Sequence, residues 1–248
     1  LLNTGRIRDQ WHTMTRTGTV QRLMRHIDEP FVNVHPDDAM RYGLGDGELA
    51  KVESRYGATV LRVRLSRDQR PGDIFAPMHW TDRFGSSGPI DRLVSATVDP
   101  VSGQPELKAT PVKIEAVPTL WRGLLLRRRA AALLPGDFYW SRIPVESGDA
   151  FALAGWKPLP DGAVSERWVH ELLATPPDGE LVIYADPRRG VFRYASIVQG
   201  KLDACLYLGC PNGNLPERDA LALLLDSTID PEARAGLVAA RPLAKGTH

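Results

Sequence analysis

Residues 49–65 read Leu-Ala-Lys-Val-Glu-Ser-Arg-Tyr-Gly-Ala-Thr-Val-Leu-Arg-Val-Arg-Leu, and this stretch sets the character of the first half of the chain. Leu61, Val63 and Leu65 alternate with Arg62 and Arg64, the period-two pattern of a strand with one buried face. Arg55, Tyr56, Gly57 and Ala58 read as the turn of a hairpin whose other arm is Leu49 to Val52. Upstream, His35 to Leu44 reads as a short helix with Pro36 near its start, Asp37 and Asp38 in its first turn and Gly43 at its end. Gly45, Asp46 and Gly47 then turn the chain into the hairpin. From Asn3 to about Pro118 the pattern is short strands punctuated by turns, including one over Asp73 to Ala76.

A boundary follows. Leu120 to Arg129 is apolar and then basic, and Ala130 to Leu134 lead to the break Pro135-Gly136. Residues 119–136 are therefore expected to form a connecting helix with a solvated arginine end; an amphipathic helix on a membrane surface is the competing reading. Ser165 caps a helix in which Trp168, Val169, Leu172 and Leu173 share a face, stopped by Pro176-Pro177. Leu181 to Tyr184, Phe192 to Val198 and Leu202 to Leu208 read as strands, with turns at Asp186 to Gly190 and at Gln199-Gly200-Lys201. Asp219 to Leu225 and Pro231 to Ala240 read as closing helices, so the second half is α+β and repeats nothing in the first.

The chain has 248 residues, 43% of them hydrophobic and 25% charged, with mean hydropathy −0.24. These values exclude disorder, coiled coil and collagen, and Gly 22 with Pro 20 indicates many turns. No apolar run reaches the roughly 18 to 20 residues that span a bilayer. The opening Leu-Leu-Asn-Thr-Gly carries neither initiator Met nor secretory signal, and reads as an interior cut. Cys205 and Cys210 cannot build a disulfide framework and make a poor zinc set, so they read as reduced thiols. The net charge of +1 hides an uneven distribution. Residues 1–25 hold five Arg against one acid, 119–142 again five Arg against one acid, and 143–248 ten basic against fourteen acidic side chains. An anion would sit at the front end. Arg127-Arg128-Arg129 has no aromatic platform beside it, which argues against nucleic acid.

The densest set of reactive side chains is Thr4-Gly5-Arg6-Ile7-Arg8-Asp9-Gln10-Trp11-His12-Thr13-Met14-Thr15-Arg16. Small hydroxyls and a glycine beside arginines suit phosphate: backbone approaches closely at Gly5, and guanidinium forks neutralise charge. Trp11 and His12 offer faces to a flat heterocycle. By composition alone a solvated basic loop competes with this reading. Pro77-Met78-His79-Trp80 is a second set, where packing competes with function, and Asp99 to Lys108 a third, which is a plain turn unless Lys108 reaches a phosphate.

In order along the chain come Thr-Gly-Arg, then Gln-Trp-His-Thr-Met-Thr-Arg, then the Pro-Asp-Asp-Ala helix and Gly-Asp-Gly turn. Arg-Pro-Gly-Asp-Ile-Phe-Ala-Pro-Met-His-Trp and Asp-Pro-x-Ser-x-Gln-Pro-Glu-Leu-Lys follow. This series, over about residues 1–117, resembles the molybdopterin-dinucleotide-binding domain that closes the catalytic subunit of the dimethyl-sulfoxide-reductase superfamily. Arg8 to Thr15 with Pro77 to Trp80 looks most like bacterial assimilatory nitrate reductases. Tyr194 to Leu208 is similar to a small α+β module near the C-terminus of such reductases and in pyridine-nucleotide nitrite reductases.

The resemblance implies a mainly β then α+β chain: a double-psi β-barrel over 1–118, the connecting helix or linker over 119–136, and a small α+β domain over 137–248. It implies molybdenum-bis(molybdopterin guanine dinucleotide), nitrate reduced to nitrite in the cytoplasm, and neither catalytic residue nor metal ligand in this stretch. A [4Fe–4S] cluster and the metal-ligand Cys would lie in the part of the polypeptide before it, and in long versions a [2Fe–2S] domain follows. The chain alone is then expected to be inactive. Its partners would be the remaining catalytic domains of the same polypeptide and an electron-donor protein or reductase subunit, with no nucleic acid and no membrane. Thr4, Gly5 and Arg6 would meet one pterin dinucleotide near its phosphates or pterin, and Gln10, Trp11, His12, Thr13 and Thr15 would continue along it. His79 and Trp80 would line the groove from the neighbouring strand, and Lys108 would complete the set. Asp91 stands where the family commonly has Asn; its carboxylate would accept pterin amino N–H bonds but repel phosphate. The same region of another molybdopterin oxidoreductase, such as a formate dehydrogenase, and a non-catalytic barrel binding module remain the alternatives.

Overall fold

Short apolar-alternating segments become strands wherever one of their faces finds the core. In the computed structural model, which describes residues 1–24, 26–128, 134–160 and 166–239, the first six are β1 (Leu2–Gly5), β2 (Phe31–Val34), β3 (Leu49–Glu53), β4 (Ala58–Leu65), β5 (Ile74–Pro77) and β6 (Lys113–Val117). They form one mixed sheet in the order β1-β5-β2-β4-β3-β6, parallel at β1/β5 and β2/β4 and antiparallel elsewhere. The expected hairpin is β3/β4, closed where the Ser54 N–H donates to the Gly57 carbonyl at 2.9 Å. Leu2, Val32, Val34, Ala50, Val52, Leu61, Val63, Ile74 and Ala76 make the core on one face.

Helix α1 (Gln21–Met24) is a single turn, and α2 (Pro36–Tyr42) is the helix expected from its punctuation. The His35 ring accepts the Asp37 N–H at the α2 N-terminus, and Gly43 ends the helix at φ 65, a left-handed conformation that glycine adopts without penalty. Among the described residues no ladder joins β6 back to β1, so the closed double-psi barrel is not displayed. The sheet is nonetheless curled: Thr110 exchanges backbone hydrogen bonds with Leu2 at the β1 edge, and three residues later β6 pairs with β3 at the opposite edge.

The first compact unit comprises Leu1–Thr119 and Pro135–Ile143. Tyr139 in its second segment is buried and donates to Glu29 Oε2 at 2.8 Å, the same oxygen that accepts Arg62 Nη2 at 2.6 Å and Nε at 3.2 Å. Burial, with the Glu29 carboxylate beside it, pushes the Tyr139 phenol well above its usual range.

The second unit comprises Leu120–Leu134 and Pro144–His248. Here β7 (Trp121–Arg127) replaces the expected connecting helix. The next strand, β8 (Tyr139–Val145), lies up to Ile143 in the first unit. With β9 (Gly148–Gly155), β10 (Glu180–Asp186), β11 (Val191–Val198) and β12 (Lys201–Gly209), β7 forms an antiparallel arrangement in the order β10-β11-β12-β7-β9. Leu124, Leu125 and Leu126 are all buried in a central strand against which the helices Glu166–Leu173 and Arg218–Ala222 also pack, and a short apolar run buried on both faces has no alternation to betray it. Of the arginine end, Arg127 is not solvated, while Arg128 is exposed. Arg127 is buried, donates to the Leu172 carbonyl and lies 4.8 Å from the Phe151 ring centre, and Arg128 pairs with Asp226 at 2.9 Å. Arg129 and Ala130 lie outside the described residues, as do the Ser165 cap and Ala240.

Helix α3 (Glu166–Leu173) buries Val169, Leu172 and Leu173 as expected, and α4 (Arg218–Ala222) and α5 (Pro231–Ala239) follow. No helix among the described residues is long and apolar enough to cross a membrane.

Candidate functional site

Parallel pairing of β1 with β5 sets Gly5 opposite Pro77, and the Met78 N–H donates to the Gly5 carbonyl at 3.0 Å. Along the other edge of β1 runs the Leu107–Thr110 segment: Leu107 O accepts both the Thr4 N–H (3.2 Å) and its hydroxyl (2.8 Å), and the Lys108 ammonium donates to the Thr4 carbonyl. The three sequence clusters thus meet at Gly5. A Cβ on Gly5 would stand 3.0 Å from the Phe75 ring and 3.5 Å from Lys108 Nζ, so glycine leaves bare backbone beside the ammonium.

The chain from Arg6 to Gly18 is a loop held by one buried ring. His79 Nε2 accepts the Ile7 N–H at 3.0 Å, and Nδ1 lies 3.0 Å from the Trp11 carbonyl. An amide can only donate and a carbonyl only accept, which fixes the neutral, Nδ1-protonated tautomer. Burial pushes the His79 pKa down. Beyond Trp11 the backbone enters the left-handed region at Thr13 (φ 45) and Met14 (φ 56). Non-glycine residues hold such conformations only where their surroundings over-determine them. Here the buried Met14 side chain packs with Met24, Trp80 and Phe84, while the Thr13 and Thr15 hydroxyls donate to the His12 carbonyl.

Beside this loop opens a cleft of about 620 Å³. Trp11 is 46% exposed at its wall, with the Arg16 guanidinium 4.7 Å from the ring centre; Arg8 and Arg22 add cationic side chains and His26 an imidazole. Asp9 lies 3.2 Å from Arg8 and 3.5 Å from His26. Gln10 and Thr17 also line the cleft although only 6% and 5% exposed. The Gln10 amide nitrogen donates to the Ile27 carbonyl at 2.7 Å, whereas Gln10 Oε1 and Thr17 Oγ1 have no partner among the described residues. Leaving such buried groups unpaired costs on the order of 1–3 kcal/mol each, so one acceptor and one hydroxyl in the lining of the cleft lack a partner.

The structure sorts the sequence-derived residues by direction. Thr4, Gln10, His79 and Trp80 are buried, and Thr4 and His79 spend their polar atoms on backbone. Arg6, Trp11, His12, Thr13, Thr15 and Lys108 are exposed around Gly5 and the loop. Asp91 is exposed in the short turn Ile90–Leu93 that packs on β4, and neighbouring protein raises its carboxyl pKa by desolvation. Of the other cleft residues, Arg16 closes the reactive set read from the sequence, whereas Thr17, Arg22 and His26 do not stand out there; the excess of arginine in residues 1–25 is the signal pointing to them.

Residues 1–111 match the family described as Molydopterin dinucleotide binding domain, and this part of the chain is a domain of that family. The chain is similar to nitrate reductases: 49% identical over 155 residues to that of Klebsiella oxytoca, covering 62% of this chain and 18% of that one. The nitrate reductase of Shewanella frigidimarina is 33% identical over 191 residues, 69% of this chain and 20% of that one. The F420-dependent formate dehydrogenase subunit alpha of Methanocaldococcus jannaschii is 37% identical over 117 residues, 47% of this chain and 17% of that one. The chain spans about a fifth of the length of the curated relatives it matches.

Proposed function

We propose that the first unit grips one molybdopterin guanine dinucleotide of a nitrate reductase whose catalytic domains and iron–sulfur clusters lie in the rest of a longer polypeptide. The observation that carries this reading is the meeting of the Thr4–Arg6, Pro77–Trp80 and Leu107–Lys108 segments at Gly5, next to a cleft with two orphaned buried polar atoms. The donor set fits the group. Arg6, Arg16, Arg22 and Lys108 offer cations to phosphates, Trp11 and His12 offer ring faces, and Gln10 Oε1 and the Thr17 hydroxyl can take N–H donors of a pterin or purine. Thr4, His79 and Trp80 hold this surface from behind. When bound, the molybdenum cofactor supplies two-electron removal of one oxygen from nitrate. The residues of this chain bind and orient it and have no part in the redox step.

A formate dehydrogenase would use the same cradle, and two relatives favour it. Their matches, however, are no longer than the first unit, as are three of the nitrate reductase matches, whereas the matches to the Klebsiella and Shewanella nitrate reductases are too long to fit there and take in part of the second. The reading is tested by Arg6→Ala in the longer polypeptide: molybdenum and pterin per polypeptide should fall together with nitrate reduction. Full cofactor loading in that variant would remove Arg6 from the site.

A further inference from the structure

We infer that His79 is a positioning residue whose neutral ring latches the Ile7–Trp11 loop, so that its protonation unlatches the loop and loosens the bound dinucleotide. The second half of this statement rests on the function proposed above; the first does not. One side chain spans the loop, with Nε2 taking the Ile7 N–H and Nδ1–H serving the Trp11 carbonyl, each at 3.0 Å. The ring is 1% exposed, so no water stands ready to replace either bond. A proton added at Nε2 would set N–H against N–H at Ile7, and an imidazolium has no acceptor left to offer. The titratable and charged groups that face the ring are His12 and Arg6, cationic whenever charged, and both oppose a further positive charge. What the latch positions is the cleft itself, since Gln10 and Trp11 lie within and at the end of the clamped stretch.

The direction with pH follows. His79 binds a proton less readily folded than unfolded, so the latch is complete above the ordinary histidine range and is lost as pH falls below it. The test is amide exchange in the full 248-residue chain, read as the protection factor of the Ile7 amide at about pH 7.5 and about pH 4.5, with Val63 of β4 as core control. In the wild type Ile7 protection should drop roughly tenfold or more at the lower pH while Val63 holds. His79→Gln, whose Oε1 and Nε2 can serve the same two backbone groups without titrating, should keep Ile7 protected at both. Ile7 protection that is flat with pH in the wild type, or that falls equally in His79→Gln, overturns the latch. His79→Leu should lose protection at both pH values, and if it does not fold the glutamine comparison still decides.

Release is read separately, in the cofactor-loaded longer polypeptide, as pterin retained after gel filtration at each pH. Acid loss in the wild type and retention in His79→Gln support it. Equal retention in both overturns the release step. Absence of pterin from the wild type at both pH values would instead count against the proposed function and leave the latch standing.

Discussion

Met14 is the sharpest point at which the site loop can be perturbed, because two opposing effects meet in one residue. Its side chain is fully buried against Met24, Trp80 and Phe84, and its backbone sits at φ 56. Cutting a buried Met to Ala costs about 2–5 kcal/mol, so Met14→Ala should lose about 3 kcal/mol, since the left-handed strain stays with the retained Cβ. Glycine loses the same contacts but escapes a left-handed penalty of about 1–2 kcal/mol, of which the extra freedom of its unfolded chain takes back about 0.5–1 kcal/mol. Met14→Gly should therefore be more stable than Met14→Ala by about 0.5–1 kcal/mol, the reverse of the order found in regular helix or strand. Urea titration followed at the backbone amides of Val32 and Val63 reads the first unit alone. With a slope of about 2 kcal/mol per molar urea, Met14→Ala should move the midpoint down by about 1.5 M and Met14→Gly by about 0.3–0.5 M less. A glycine variant equal to or worse than the alanine variant would show that the left-handed turn carries no strain. A cost below about 1 kcal/mol for alanine would show that Met14 does not anchor the loop.

Two further outcomes follow from buried polar chemistry. Glu29→Ala strips the acceptor from the buried Tyr139 hydroxyl and from Arg62, and should cost the first unit about 3 kcal/mol by the same urea assay, with Tyr139→Phe costing about half as much. Cys205 is buried with its thiol pushed up to about 12, while Cys210 is exposed; at about pH 8 a thiol reagent should modify one cysteine per native chain and two in denaturant.

How far the sequence could be read depended on whether a signal was local. The β3/β4 hairpin and helix α2 follow from neighbours in the chain, namely period-two alternation and a Pro36-to-Gly43 punctuation, and both stand where expected. Strand β7 departs from the expected helix because the strands beside it and the helices α3 and α4 against it come from distant sequence, and with Leu124 to Leu126 all buried there is no alternation to see. That three clusters share one groove follows from the family resemblance their order carries, but the direction of each side chain does not. Thr4 and His79 read as donors for a ligand, and only tertiary pairing turns their polar atoms toward Leu107, Ile7 and Trp11. Conversely Arg22 and Thr17 carried no motif and reach the cleft through the fold of the loop alone.

Hydrogen exchange on the longer polypeptide, compared with and without its molybdenum cofactor, bears most directly on whether this cradle grips the dinucleotide. Protection gained at residues 5–16 and 107–108, with none at Asp91, is the expected pattern. Protection that leaves residues 5–16 unchanged and falls elsewhere on the first unit would contradict it.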